Sequence, residues 1–258
     1  LNLGEAALLI AQEEQPELDV SFYLNRLATL AEAVRSKTPA GATSKETIEA
    51  LNTQLFSEER LHGNAQDYYD PKNSFLNEVL ERKTGIPITL CVIYLEVGRL
   101  LGLPLVGVGF PGHFLVKHRG NGAETVLDPF MGGIALTLDQ LATKLKTMYG
   151  EGNPLLARVP ELLQPTSKKE ILARMLRNLK GVYLHKADFQ RALSAIDRII
   201  LVTPDLPSEF RDRGSVRQRL GQIQGAVQDY QKYIELAPDA KDAGQIRTLV
   251  QRSLAQLN

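Results

Sequence analysis

The sequence predicts an α+β domain, with helices packed on a small antiparallel sheet, followed by an all-α helical repeat. Three observations carry that expectation. Apolar residues recur at helical spacing through roughly the first hundred positions, and the period switches to two between Leu105 and Asp128. Beyond residue 167 the chain resembles itself after a shift of 34, from Ala187 to Gly221. A length of 258 residues suits two domains, and 43% hydrophobic residues supply a packed core. The expected boundaries are a first domain over residues 1–150, a linker or docking segment over 151–166, and repeat helices over 167–258.

Residues 1–15 and 19–36 carry helical stripes, Leu8 and Ala11 in one, Leu24, Leu27, Ala28 and Ala31 in the other. Thr38-Pro-Ala-Gly41 interrupts them. Ser44, followed by Thr47 and Ile48, starts a helix that runs to about Phe56. Residues 63–73, rich in Gly, Asn, Asp, Tyr and Pro, are expected to form a loop. Residues 74–83 are helical, with Phe75, Val79 and Leu80 inward. Gly85 and Pro87 separate them from a helix over 88–101 that bears Cys91 and stops at Gly102-Leu-Pro104. Strands follow over 105–110, 113–118 and 124–128, the last two joined by Arg119-Gly-Asn-Gly122. A four-residue loop there sets His113 across from Asp128; a two-residue Asn121-Gly122 turn sets Asp128 across from Leu115, diagonal to His113. Either register keeps His113 and Asp128 on one face. Residues 137–149 form a helix with Leu138, Leu141 and Leu145 on one side.

The repeat predicts helices over 168–185, 188–202, 206–220, 222–236 and 239–256. Its spacing, with a small residue, an aromatic or aliphatic knob, Ala and a closing Pro, resembles the tetratricopeptide repeat. Lys180 stands where Gly214 stands in the second unit, and Arg217 where Tyr183 stands in the first. Two units are fewer than normally stand alone, so the segment is expected to pack on the first domain. Such a repeat serves either as a peptide-binding groove or as a structural extension.

Cys91 is the sole cysteine, which excludes an internal disulfide and a multi-cysteine metal site. Placed at a helix start, a thiol is favoured as thiolate. A cysteine, a histidine to take its proton and an acid to orient the histidine constitute an apparatus for acyl transfer, here Cys91, His113 and Asp128. The bland alternatives are a buried packing thiol, a histidine satisfied by nearby backbone, and a turn-forming aspartate before Pro129. The backbone N–H of Cys91 and, more weakly, the Asn77 amide are candidate oxyanion donors. Asn73 and Tyr68 belong to the loop that is a candidate cleft wall. His118 faces away from His113 by strand parity and is expected to be exposed.

The order of helix-start Cys, strand His and strand Asp resembles the transglutaminase-like fold, a relative of papain-type cysteine proteases. The runs Asn73-Ser-Phe-Leu-Asn-Glu-Val, Thr84-Gly-Ile-Pro-Ile-Thr-Leu, Gly107-Val-Gly-Phe-Pro-Gly-His-Phe-Leu-Val and Leu127-Asp-Pro-Phe are similar to those of the bacterial SirB family, which joins such a core to C-terminal tetratricopeptide repeats. The resemblance covers most of the chain, and Pro111-Gly-His113-Phe is its most specific part. It implies Cys91 as nucleophile, His113 as general base and Asp128 as orienting acid. The activity it implies is that of a cysteine-dependent acyl transferase or hydrolase acting on an amide or peptide. The alternative is a non-catalytic scaffold that binds a protein partner through its repeats.

Other chemistries score poorly. Lys+Arg and Asp+Glu both number 30, a balance that argues against a general nucleic-acid binder. No apolar run approaches the ~18 residues of a membrane span. The glycine pairs are not followed by Gly-Lys-Ser/Thr, and there is no dinucleotide fingerprint, so no cofactor is expected. Cys91, His113 and Asp128 make a poor metal set, because three-ligand zinc sites usually carry more His. A lone thiol and an N-terminus without a basic n-region predict a cytoplasmic protein.

Overall fold

The structure is a computed structural model that describes residues 1–120 and 124–255. It consists of two compact units, Leu1–Ile171 and Leu172–Asn258.

The first unit begins with three helices whose starts are fixed by polar side chains. α1 (Leu3–Gln12) is capped by Asn2, and α2 (Val20–Lys37) by Asp19, whose Oδ1 accepts from Phe22 N at 3.0 Å. α3 (Ser44–Asn52) has a capping box between Thr43 and Glu46 and runs into a π-helical turn over Thr53–Glu58. β1 (His62–Gly63) follows, then a 3₁₀ turn at Pro71–Ser74, α4 (Leu76–Arg82) and β2 (Thr84–Gly85), which pairs in parallel with β1.

α5 (Pro87–Leu100) is the centre of the unit. Pro87 occupies its first position, where the missing N–H costs nothing, and Thr89 Oγ1 accepts from Ile86 N at 3.2 Å. Every residue from Pro87 to Gly98 is buried, so the helix has no solvent face and reads as a near-continuous apolar run. It packs on α1, α2 and the sheet. Gly102, at φ +77°, lets the chain turn out of it.

The sheet holds β3 (Leu105–Val108), β4 (Leu115–His118), β5 (Thr125–Asp128), β6 (Ile134–Leu136) and β7 (Pro165–Thr166), in the order β6-β5-β4-β3-β7, all antiparallel. Val116 pairs with Leu127 and His118 with Thr125, so continuing the ladder sets Asp128 across from Leu115. That is the register of the shorter turn; the turn itself, at residues 121–123, lies outside the described residues. β6 and β7 escape sequence analysis because three and two residues are too short for a period to declare itself. Pro165 is tolerated because β7 is an edge strand.

Between β6 and β7 lie α6 (Leu138–Tyr149) and short 3₁₀ turns at Pro154–Arg158 and Glu161–Leu163. Residues 151–166, where prolines suggest a linker, add Val159 and Leu163 to a core formed with Val108, Phe110, Leu115, Val126, Leu141 and Leu145. The exposure expected of His118 is wrong. It is 8% exposed, because β4 is an interior strand with neighbours on both sides and all four of its residues are buried.

α7 (Lys168–His185) carries the chain across the boundary. The second unit then stacks α8 (Phe189–Val202), α9 (Pro207–Arg219), α10 (Ile223–Leu236) and α11 (Ala243–Ala255), with α9 packed on both α8 and α10 and α10 on α11. α11 begins later than the sequence suggests, at Ala243. The 34-residue shift has a backbone counterpart: Ala187 at φ 56° and Gly221 at φ 74° take the same left-handed turn between paired helices. Gly214 admits the Tyr230 ring, which a Cβ there would meet at 2.7 Å. Lys180, its counterpart, instead reaches Glu209 at 2.7 Å and Asp212 at 2.9 Å. Arg213 holds the buried Asp229 at 2.7 Å, joined by Arg217 at 2.9 Å. No described helix is long and apolar enough to cross a membrane.

Candidate functional site

His113 enters β4 from a tight turn. Gly112 takes φ +66°, where a side chain is strained, and His113 N donates to Phe110 O at 3.0 Å. Asp128 closes β5 and is fully buried. The observed register brings the two together diagonally, and His113 Nε2 lies 2.9 Å from both Asp128 oxygens. Asp128 Oδ1 also accepts from Phe130 N at 3.1 Å, and Oδ2 from Lys144 Nζ, on α6, at 3.1 Å. The Phe130 ring stands edge-on to the imidazole, 5.9 Å between centroids.

Burial by itself pushes the Asp128 carboxyl up. The hydrogen bonds and positive charge that His113 and Lys144 bring outweigh it and hold the carboxyl below its ordinary value. Asp128 is therefore a carboxylate at neutral pH. With Nε2 given to Asp128, proton exchange between His113 and a thiol has to pass through Nδ1.

Cys91 lies at no such helix start. It is the fifth residue of α5, and the helical ladder has already begun at Leu90, whose N–H donates to Ile86 O at 3.2 Å. The Cys91 N–H thus falls beyond the donors that a helix start leaves open, which removes it as an oxyanion donor and weakens the dipole's pull on the thiol. The side chain is fully buried, and Sγ donates to Phe114 O at 3.4 Å, one residue past His113. A cavity of about 280 Å³ opens beside His113, with Gly112, Lys144 and Met148 on its wall; Cys91 does not line it.

The weaker candidates lie elsewhere. Asn77 is buried rather than on a helix surface, and its Nδ2 donates to Gln15 Oε1 at 2.7 Å. Asn73, fully buried, donates to Asp67 O at 2.7 Å, and its Oδ1 accepts from Asn64 Nδ2 at 3.1 Å. Its carbonyl accepts from Thr89 Oγ1 at 2.8 Å, so it braces the first turn of α5. Tyr68 is exposed and stacks edge-on with Tyr69, 5.7 Å between centroids. Lys144 escapes sequence analysis because a lysine on an amphipathic helix has the pattern of a solvated charge.

Residues 21–177 match the model of the transglutaminase-like superfamily, and residues 179–251 that of the tetratricopeptide repeat. A UPF0162 protein of Xylella fastidiosa (strain Temecula1) is 38% identical over 247 residues, covering 96% of this chain and 88% of that one. A second UPF0162 protein, from Vibrio cholerae, is 32% identical over 251 residues, 97% of this chain and 92% of that one. F-box only protein 21 of Mus musculus is 30% identical over 173 residues, 62% of this chain but 26% of that protein. From these matches the chain belongs to the transglutaminase-like superfamily, and within it to the UPF0162 proteins, with a tetratricopeptide repeat at its C-terminal end.

Proposed function

We propose that this chain is a binding module: a transglutaminase-like domain whose thiol is held inside the core, joined to a tetratricopeptide segment that binds a protein partner. The observation that carries this reading is the depth of Cys91. Its thiol is fully buried, on the second turn of a helix with no solvent face, and donates to Phe114 O. A nucleophile has to reach a carbonyl carbon, and that thiol has no path to one without movement of α5 or β4. The repeat supports the partner, because helix pairs of this kind present extended protein-binding surfaces.

A second reading is acyl transfer by Cys91, His113 and Asp128 on an amide or peptide. The observation that favours it is the His113–Asp128 pair at 2.9 Å beside an open cavity, the arrangement that orients a general base. Thiol labelling of the folded chain separates the two. For a binding module, iodoacetamide modifies Cys91 only as fast as the protein unfolds, and Cys91→Ser leaves partner binding unchanged. Rapid labelling at neutral pH, slowed by His113→Ala, favours acyl transfer and sinks the binding module.

A further inference from the structure

Lys117 stands where the sheet calls for an apolar side chain. It lies on β4, an interior strand, two residues after Leu115 and directly across from Val126, which in turn pairs with Leu136. Residues facing each other across a ladder, like residues two apart along a strand, share a face, so all four point to the same side. On that side Leu115 and Val126 join Leu141 and Leu145 of α6 in the core. The Lys117 side chain is only 7% exposed. A buried ammonium is costly unless it is paired and its donors are used.

The pairing of Lys117 is incomplete. Nζ donates to Glu124 Oε2 at 2.9 Å and has no other partner among the described residues, which leaves two of its three N–H donors open. The Glu124 side chain is 55% exposed, so the ammonium reaches the place where the interior meets solvent.

A cavity of about 400 Å³ opens there, a volume within the range of small-molecule sites. Lys117 and Glu124 form the charged part of its wall, and Val126, Leu136, Pro160 and Leu163 an aliphatic part. It lies within the first unit, and neither Cys91 nor His113 lines it. Lys117 is the single cation on that wall among the described residues, which suits a head group of one negative charge. A carboxylate accepts from the donors that Glu124 leaves open, and Glu124 is exposed enough to turn outward and make room.

We propose that this cavity binds an aliphatic monocarboxylate. The Lys117 ammonium holds the head group, and the alkyl chain lies on Val126, Leu136 and Leu163. Calorimetric titration of the full chain tests it. The probes are hexanoate for a free fatty acid, N-acetyl-L-leucine for the C-terminus of a peptide, and hexanol as the uncharged control. At least one carboxylate binds saturably at one site, the tighter of the two names the source, and hexanol binds about tenfold or more weakly. Lys117→Met keeps the length of the stem and removes the charge. It lowers carboxylate affinity to the level of hexanol, while resistance to urea stays at least that of the parent. Glu124→Gln acts in the opposite direction: it removes the competing carboxylate, and affinity rises about two- to fivefold. Opposite signs at the two positions separate a built site from adhesion of an alkyl chain to apolar surface. Absence of saturable carboxylate binding up to ~20 mM, affinity indifferent to Lys117→Met, or affinity that does not rise with Glu124→Gln overturns the proposal.

Discussion

The Cys91 thiol donates to the carbonyl of Phe114, 3.4 Å away, one residue past the histidine whose Nε2 is held by Asp128. α5 is thereby tied to the segment that leads into β4, at the point where the candidate site begins. This bond makes Cys91 part of the packing, a role that substitution tests directly.

Cys91→Ala removes a fully buried side chain of small volume and is expected to cost about 1–2 kcal/mol in urea denaturation. Cys91→Ser keeps a donor for Phe114 O and is expected to cost less than the alanine variant. An alanine variant as stable as the parent contradicts a packing role for the thiol.

Asp128 gives an acid-dependent stability. Its folded carboxyl titrates below its ordinary value, so the unfolded chain binds the proton more readily. The stability it contributes is present above the unfolded pKa of about 3.9 and is lost as pH falls through the folded value. Asp128→Asn is expected to lose about 2–4 kcal/mol at pH 7, because His113 and Lys144 lose their shared partner. It also flattens the stability curve below pH ~4, measured by urea titration at successive pH values. An unchanged acid limb contradicts the assignment.

The left-handed turn shared by Ala187 and Gly221 predicts opposite responses at equivalent positions. Ala187→Gly relieves a strained φ and is expected to stabilise by about 0.5–1 kcal/mol after the extra entropy of the unfolded glycine is counted. Gly221→Ala introduces the same strain and costs about 1–2 kcal/mol. Thermal unfolding of the two variants reads both signs.

Gly214→Ala places a methyl 2.7 Å from the Tyr230 ring, closer than side chains tolerate. The α9–α10 pair must separate, at an expected cost of about 1–3 kcal/mol. Circular dichroism during chemical denaturation detects it as an earlier transition. A variant as stable as the parent means that the ring has room to move.

The sequence by itself determined the order of the helices and of the three central strands, the 34-residue repeat and the alternation that puts His113 and Asp128 in one hairpin. These are local properties: a helix, a strand and a repeated unit each write their period into neighbouring residues. Tertiary structure decided the rest. The ladder chose between two registers and set Asp128 across from Leu115. The burial of α5 on every side put Cys91 out of reach of solvent, although the residues around it spell a helix entry. α6 carried Lys144 to Asp128, and an interior strand buried His118. Burial and pairing depend on what distant segments cover, and a residue's immediate neighbours in sequence do not record it.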